Sequence, residues 1–267
     1  MAIKIALDAG HGLKTAGKQT PNGIKEWTLN DKVRDKVISY LSAYDVEILN
    51  VDGNEGNTDE SLSARLNAYL KAGAKAFVSI HHNAYTGSWN GATGVEVYTD
   101  KNPTTADLKL ADCIYGRLVK YTGLKGRGIK REDWYVINQD KIPAILVEGG
   151  FMDGKSDYNV ITSEAGQDAY ARAVAEGLVE FLNIPKKATT PKKESAPTNT
   201  FKSYKVKVTA SALNIRKGAG TNYGKSGVIT DKGVYTIVDE ANGKGATKWG
   251  KLKSGVGWIS LDFCKKV

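Results

Sequence analysis

Cysteine is scarce: Cys113 and Cys264 are the only two in 267 residues. They lie far apart, without the spacing of a metal-binding pair or of a disulfide framework. Cys113 falls on an amphipathic pattern and reads as a buried free thiol. Long apolar runs are missing as well. No stretch approaches the roughly 18 residues that a membrane span needs, so stable membrane insertion is not expected. The opening residues, Met1-Ala2-Ile3-Lys4-Ile5, lack the charged start, apolar core and cleavage site of a secretory leader. Synthesis in the cytoplasm is the expectation. Histidine is nearly as rare, with His11, His81 and His82 the only three.

Negative charge is deficient overall, and the formal charge of +9 suggests a polyanionic partner such as nucleic acid. Its distribution argues against that class. Residues Met1 to Asn183 carry 21 Lys and Arg against 24 Asp and Glu, a net −3, whereas Ile184 to Val267 carry 17 against 5, a net +12. A slightly acidic larger part and a strongly basic tail imply two modules with different electrostatic tasks, and no nucleic-acid partner is expected.

The boundary between them is visible in composition. "IPKKATTPKKESAPTNTFK", from Ile184 to Lys202, holds three of the six prolines and almost nothing to bury. Such a segment cannot offset its ordering entropy and reads as an extended linker. The expected domains are therefore residues 1–183, a linker over 184–203, and a second domain over 204–267.

Within the first domain strand-like runs alternate with helical patterns. Ile3–Leu7, Val46–Val51, Ala76–Ile80, Gly94–Thr99 and Ala144–Val147 read as strands. Leu29 to Leu41 has helical spacing. Ser61 can cap a helix bearing Leu62, Leu66 and Leu70, Thr104 or Thr105 starts another, and Ser163–Leu182 is a last one. This alternation predicts an α/β fold with a largely parallel sheet. After the linker come "YKVKVTA", "LNIRKG", "SGVIT", "VYTIVDE", "KWGKLK" and "GWISL", short β-type runs split by glycine-rich turns. They predict a small barrel.

The three histidines all sit at the ends of apolar runs. In an open α/β sheet functional groups gather at the C-terminal ends of strands. His11 in "DAGHG" and His81 in "SIHHNA" follow two such strands. If those strands are neighbours, both imidazoles can meet at one metal ion. A catalytic zinc site commonly has three protein ligands and an open position for water. Glu26 in "GIKEWTLN" is one source of the third; an acid favoured at a helix N-terminus is the other reading, and the residues alone favour the latter. Glu148 in "AILVEGGF" ends a fully apolar strand, where a carboxylate needs a partner or a task. A non-ligand acid that takes a proton from water fits that position.

"DAGHG", "IKEWTLN", "SIHHNA", "GIKREDWYVI" and "IPAILVEGGFMDG" occur in this order across residues 1–183. In order and spacing they resemble the zinc-dependent N-acetylmuramoyl-L-alanine amidases of the amidase-3 type. That resemblance implies a mainly parallel six-stranded sheet flanked by helices, with one Zn²⁺ held by His11, Glu26 and His81 and with Glu148 as the catalytic acid–base. It implies hydrolysis of peptidoglycan at the amide joining N-acetylmuramic acid to L-alanine. His82 matches no ligand position, and neighbouring strand residues face opposite ways. With Asn83 it is read as a substrate neighbour. Gly149-Gly150 departs from relatives with a larger first residue, which bears on pocket width.

The basic tail, Tyr204 to Val267, resembles the bacterial SH3-type domains attached to wall hydrolases. That likeness implies a tether to the cell wall, which raises the local concentration of the catalytic domain. The anionic polymers of Gram-positive walls suit its charge. Tyr223, Trp249, Trp258 and Tyr235 are candidates for a wall-binding groove, against core packing for each taken singly; Tyr223 and Trp249 are the two put forward. Peptidoglycan of a Gram-positive wall is thus the expected partner, reached after release from the cytoplasm. A phage endolysin acting in host lysis is the expected setting. A sporulation or mother-cell autolysin, a zinc peptidase of the stem peptide, and a wall-binding protein with an inert amidase domain are the alternatives.

Overall fold

A computed structural model describes residues 2–53, 56, 58–187 and 201–267. The chain divides into two compact units, Met1–Thr190 and Pro191–Val267. The first is built on six strands: β1 (Ile3–Ala9), β2 (Val46–Asn50), β3 (Ala76–Asn83), β4 (Val95–Asp100), β5 (Gly126–Glu132) and β6 (Ala144–Phe151). Their order is β2-β1-β3-β6-β4-β5. Every neighbouring pair is parallel except β4 with β6.

Five helices cover the sheet: α1 (Glu26–Leu41), α2 (Leu62–Lys71), α3 (Thr105–Thr122), α4 (Lys155–Thr162) and α5 (Glu164–Phe181). Local chemistry fixes their starts. The Ser61 hydroxyl accepts from Ala64 N at 3.1 Å, and Ser163 accepts from Gly166 N at 3.0 Å. Thr104 and Asp107 form a reciprocal capping box. Gly123, at φ 68°, ends α3 in the left-handed conformation that favours glycine.

Strand alternation sorts side chains into two layers. Ile5, Leu7, Val78, Ile80, Val95, Val97, Ile145 and Val147 pack with the buried faces of α1, α3 and α5. Ala6, Phe77, Tyr98, Ala144 and Leu146 pack on the other face with Tyr69 of α2 and with Val136 and Ile137. Asp8, Ser79, His81, Glu96 and Glu148 share the parity of that second set. Several lengths of chain differ from the sequence reading. β3 runs on through Asn83 and β6 through Phe151, so His81, His82 and Glu148 lie within strands. Ile184–Lys187, expected in the linker, instead belong to the first unit. Ile184 is buried in its core, Lys186 bridges to Tyr44, and Lys187 N donates to Ala43 O at 3.0 Å. Residues 188–200 of the expected linker lie outside the described residues.

The second unit is all β: β7 (Tyr204–Val208), β8 (Leu213–Arg216), β9 (Lys225–Ile229), β10 (Val234–Gly243), β11 (Ala246–Leu252), β12 (Trp258–Ser260) and β13 (Cys264–Lys266). Antiparallel pairing gives the order β13-β7-β10-β11-β12-β8-β9. Val206, Val208, Leu213, Ile215, Ile229, Ile237, Leu252 and Ile259 form one core. Strands far apart in the order share that core, so the sheet must curl on itself. Cys113 is buried and Cys264 half-buried, and both are free. No helix among the described residues is long and apolar enough to cross a membrane.

Candidate metal centre and active site

Three side chains from separate segments meet at the ends of β1 and β3. His11 lies two residues past β1 at φ 66°, a conformation rare outside glycine. Arg65 of α2 holds that corner. Its Nη2 donates to His11 O at 2.8 Å and its Nη1 to Ala9 O at 3.2 Å. The same guanidinium pairs with buried Asp8, which also accepts from Ser79 Oγ at 2.6 Å. Glu26 opens α1, its N–H donating to Lys18 O at 3.0 Å. Its Oε2 stands 3.2 Å from His11 Nε2 and its Oε1 3.0 Å from His81 Nδ1. A Cβ on Gly10 would stand 2.0 Å from the His81 ring, so only glycine lets this imidazole in.

One candidate ligand atom from each of His11, Glu26 and His81 lies within 4.8 Å of the others. Burial pushes the Glu26 carboxyl up, but hydrogen bonds from His11 and His81 outweigh it and hold the group ionised, well below the usual carboxylate range. Two imidazole nitrogens and one ionised carboxylate, opening onto a groove, are the donor set of a catalytic zinc ion. The residues fit the metal.

Glu148 lies opposite His81 in the β3–β6 register. It is 8% exposed, and its Oε2 has no hydrogen-bond partner. Burial, then the charges of Glu26 and Glu96, push its carboxyl well above the ordinary value. Glu96 is its cross-strand neighbour on β4 but lives differently. Asn83 Nδ2 at 3.0 Å, the Tyr98 hydroxyl at 2.5 Å, Lys130 Nζ at 2.5 Å and Arg127 all donate to it. Burial raises the Glu96 carboxyl, yet those donors outweigh it and hold it ionised. Two adjacent acids are thereby pushed apart, the usual mark of a proton-transfer site.

The family model for N-acetylmuramoyl-L-alanine amidases (Amidase_3) matches residues 5–180. The chain belongs to this amidase family. It is 35% identical over 204 residues to the endolysin of Bacillus phage SPP1, covering 74% of each protein. It is 33% identical over 178 residues to the amidase LytC of Bacillus subtilis, but spans only 35% of that protein's length. The sporulation-specific amidase of B. subtilis is 28% identical, over 70% of this chain and 71% of that one. The solved structure of the catalytic domain of CwlV, an N-acetylmuramoyl-L-alanine amidase from Bacillus (Paenibacillus) polymyxa, superposes with a TM-score of 0.63 at 28% identity, over 68% of this chain and 99% of that one.

Two grooves in the amidase share His11, His81, Trp134 and Leu146. One, of about 500 Å³, passes Leu62 and Tyr135; the other, of about 470 Å³, passes Lys18, Asn83 and Glu148. Asn83 and His82 both border the second groove, but the His82 side chain is turned away from it. It is 2% exposed on the opposite face of β3, edge-on to Tyr170, and burial lowers its pKa to about 4. Neutral His82 donates from Nδ1 to Asn30 Oδ1 at 2.7 Å, and Asn30 Nδ2 donates to Gly10 O at 3.1 Å and Glu26 Oε1 at 3.4 Å. It braces a ligand rather than touching substrate. Gly149 likewise turns from the groove: a Cβ there would lie 2.0 Å from the Tyr170 ring, so it makes room for Tyr170 and leaves pocket width untouched.

In the second unit Tyr223 is 47% exposed, as its loop suggested. Trp249 is only 2% exposed, and it stands at the floor of a recess of about 210 Å³ that Arg216 and Phe263 also line. Sequence reasoning missed Arg65, Asn30, Glu96 and Trp134. A charge on the apolar face of α2 signals Arg65, and an acid inside "GVEVY" signals Glu96. Asn30 and Trp134 lie inside motifs whose other residues drew the attention.

Proposed function

We propose that this amidase hydrolyses peptidoglycan between N-acetylmuramic acid and L-alanine as a zinc enzyme, and serves a bacteriophage in lysis of a Gram-positive host. The observation that carries the chemistry is the meeting of His11, Glu26 and His81 within 4.8 Å, beside a Glu148 carboxylate with a free oxygen. His11, Glu26 and His81 would hold Zn²⁺, which would supply the positive charge to acidify a water, polarise the scissile carbonyl and favour the ionised form of Glu148. Glu148 then accepts the water proton and passes it to the leaving nitrogen. Asn30, braced by His82, and Arg65 keep the ligands in place. Similarity to the SPP1 endolysin supports the lytic setting. The sporulation-specific relative supports a second setting with the same chemistry, action after the mother cell opens. The second unit, a curled all-β sheet in the basic tail, is read as an SH3-type wall-binding domain with Tyr223 at its surface.

Digestion of purified walls tests the reaction. New L-alanine amino ends and peptide-free glycan are expected by mass spectrometry. A chelator should abolish their release and Zn²⁺ restore it. Cuts between stem amino acids would instead make the protein a peptidase.

A further inference from the structure

The two grooves that leave the centre differ in lining. In the first, Leu62 and Tyr135 are 54% and 52% exposed, and Trp134 stacks on Tyr98 with ring centroids 4.3 Å apart. Its rim is acidic, with Asp59, Glu60 and Asp133; its one cation, Arg65, is already paired with Asp8 and Asp59. The second groove is lined by Lys18, its one lysine or arginine, together with Glu26, Asn83 and Glu148. Behind it Asn83 donates to Glu96, on whose carboxylate Arg127 and Lys130 converge. Arg127 also stands 5.0 Å over the Phe151 ring, beside a further recess of about 330 Å³.

We infer that the amidase binds its substrate in one direction, the sugar on Leu62 and Tyr135 and the stem peptide past Glu148, Lys18 and Asn83, with Trp134 between the two. This rests on the amidase reading. Hydrolysis joins the water oxygen to the lactyl carbonyl carbon and breaks the C–N bond. One water proton moves through the Glu148 carboxylate to the departing nitrogen, and the lactyl group leaves as a carboxylic acid. The nitrogen that takes the proton belongs to the peptide. Glu148 lines the second groove and not the first, so the peptide must leave there and the acyl side must lie opposite. Charge agrees with geometry. The stem peptide carries free carboxylates, which Lys18 on the second groove can pair, whereas the only cation of the first, Arg65, is already taken. The N-acetylated sugar, its own carboxyl consumed in the amide, is neutral; its apolar ring face suits an aromatic wall bordered by acids.

The test uses the full-length zinc-loaded protein and three soluble substrates: a disaccharide–lactyl–peptide, a lactyl–peptide without sugar, and the first substrate with its glutamyl carboxylate amidated. Tyr135→Ala should raise KM about tenfold for the disaccharide substrate and leave the sugar-free one unchanged. Lys18→Ala should weaken the free-acid substrate severalfold and spare the amidated one. Calorimetry should agree without turnover: Tyr135→Ala weakens binding of the peptide-free glycan product, and Lys18→Ala that of the free peptide. Thermal melts matching the parent confirm that both variants are folded. Swapped effects would reverse the direction, and unchanged constants in both variants would remove the grooves from recognition. If the parent fails to cut the lactyl amide at all, the amidase reading fails instead.

Discussion

The two units solve stability and charge in opposite ways. The first surrounds a sheet with helices on both faces, carries a net −3 up to residue 183, and buries ionised groups such as Arg65, Asp8 and Glu26. The second buries nine apolar side chains among its described residues, Trp249 included, and spreads nearly all its charge over the surface. Only a large core can surround buried charges with enough partners to hold them, and a chemical site of this kind requires such charges. A small β unit has no such reserve, so what it offers a partner is its surface.

The largest expected effect separates the two directly. Glu148→Gln should lower wall hydrolysis about 10²–10⁴-fold, while bound zinc by atomic absorption and wall binding by the inactive protein stay as before. Retained activity would strip Glu148 of its role. Arg65→Met leaves Asp8 buried without its cation and should cost about 3–5 kcal/mol. Denaturant melts should show the loss in the first unit alone. Ile237→Ala at the centre of the second core should cost about 2–4 kcal/mol, seen as early melting of the second unit with catalysis on soluble fragments intact. If either substitution lowers both transitions equally, the units are not independent. The smallest effect is ionic. Raising salt well above 0.1 M, where the Debye length is about 10 Å, should weaken wall binding severalfold and leave kcat on soluble fragments unaltered. Binding indifferent to salt would deny the +12 tail an electrostatic part.

Much of this was legible in the chain. Buried parallel strands such as "AFVSI" and "AILV" announce themselves as continuous apolar runs, and Ser61, Thr104 and Ser163 mark the helix starts they cap. β5, "GRGIKRE", was silent because an edge strand shields itself with charge instead of apolar pattern. α4 and β13 are too short to show a period. The histidines and Glu148 stood out through rarity and context. Trp249 was harder to read, since a large aromatic in a small unit reads alike whether it faces a ligand or the core. Alternation did foretell that His82 turns from His81, but not that it would be buried against Tyr170. Arg65 and Asn30 act through backbone carbonyls some 54 and 20 residues away, and no local pattern encodes such a reach.

The brace behind His11 has a practical outcome. Guanidinium, amide and glycine already hold the three donors in position, so loading an ion asks for little rearrangement of the chain. Stripped protein should stay folded, melting lower only by the stabilisation that bound metal adds to the native state, and recover on simple addition of metal; cobalt or cadmium can then be exchanged in as spectroscopic reporters of the centre.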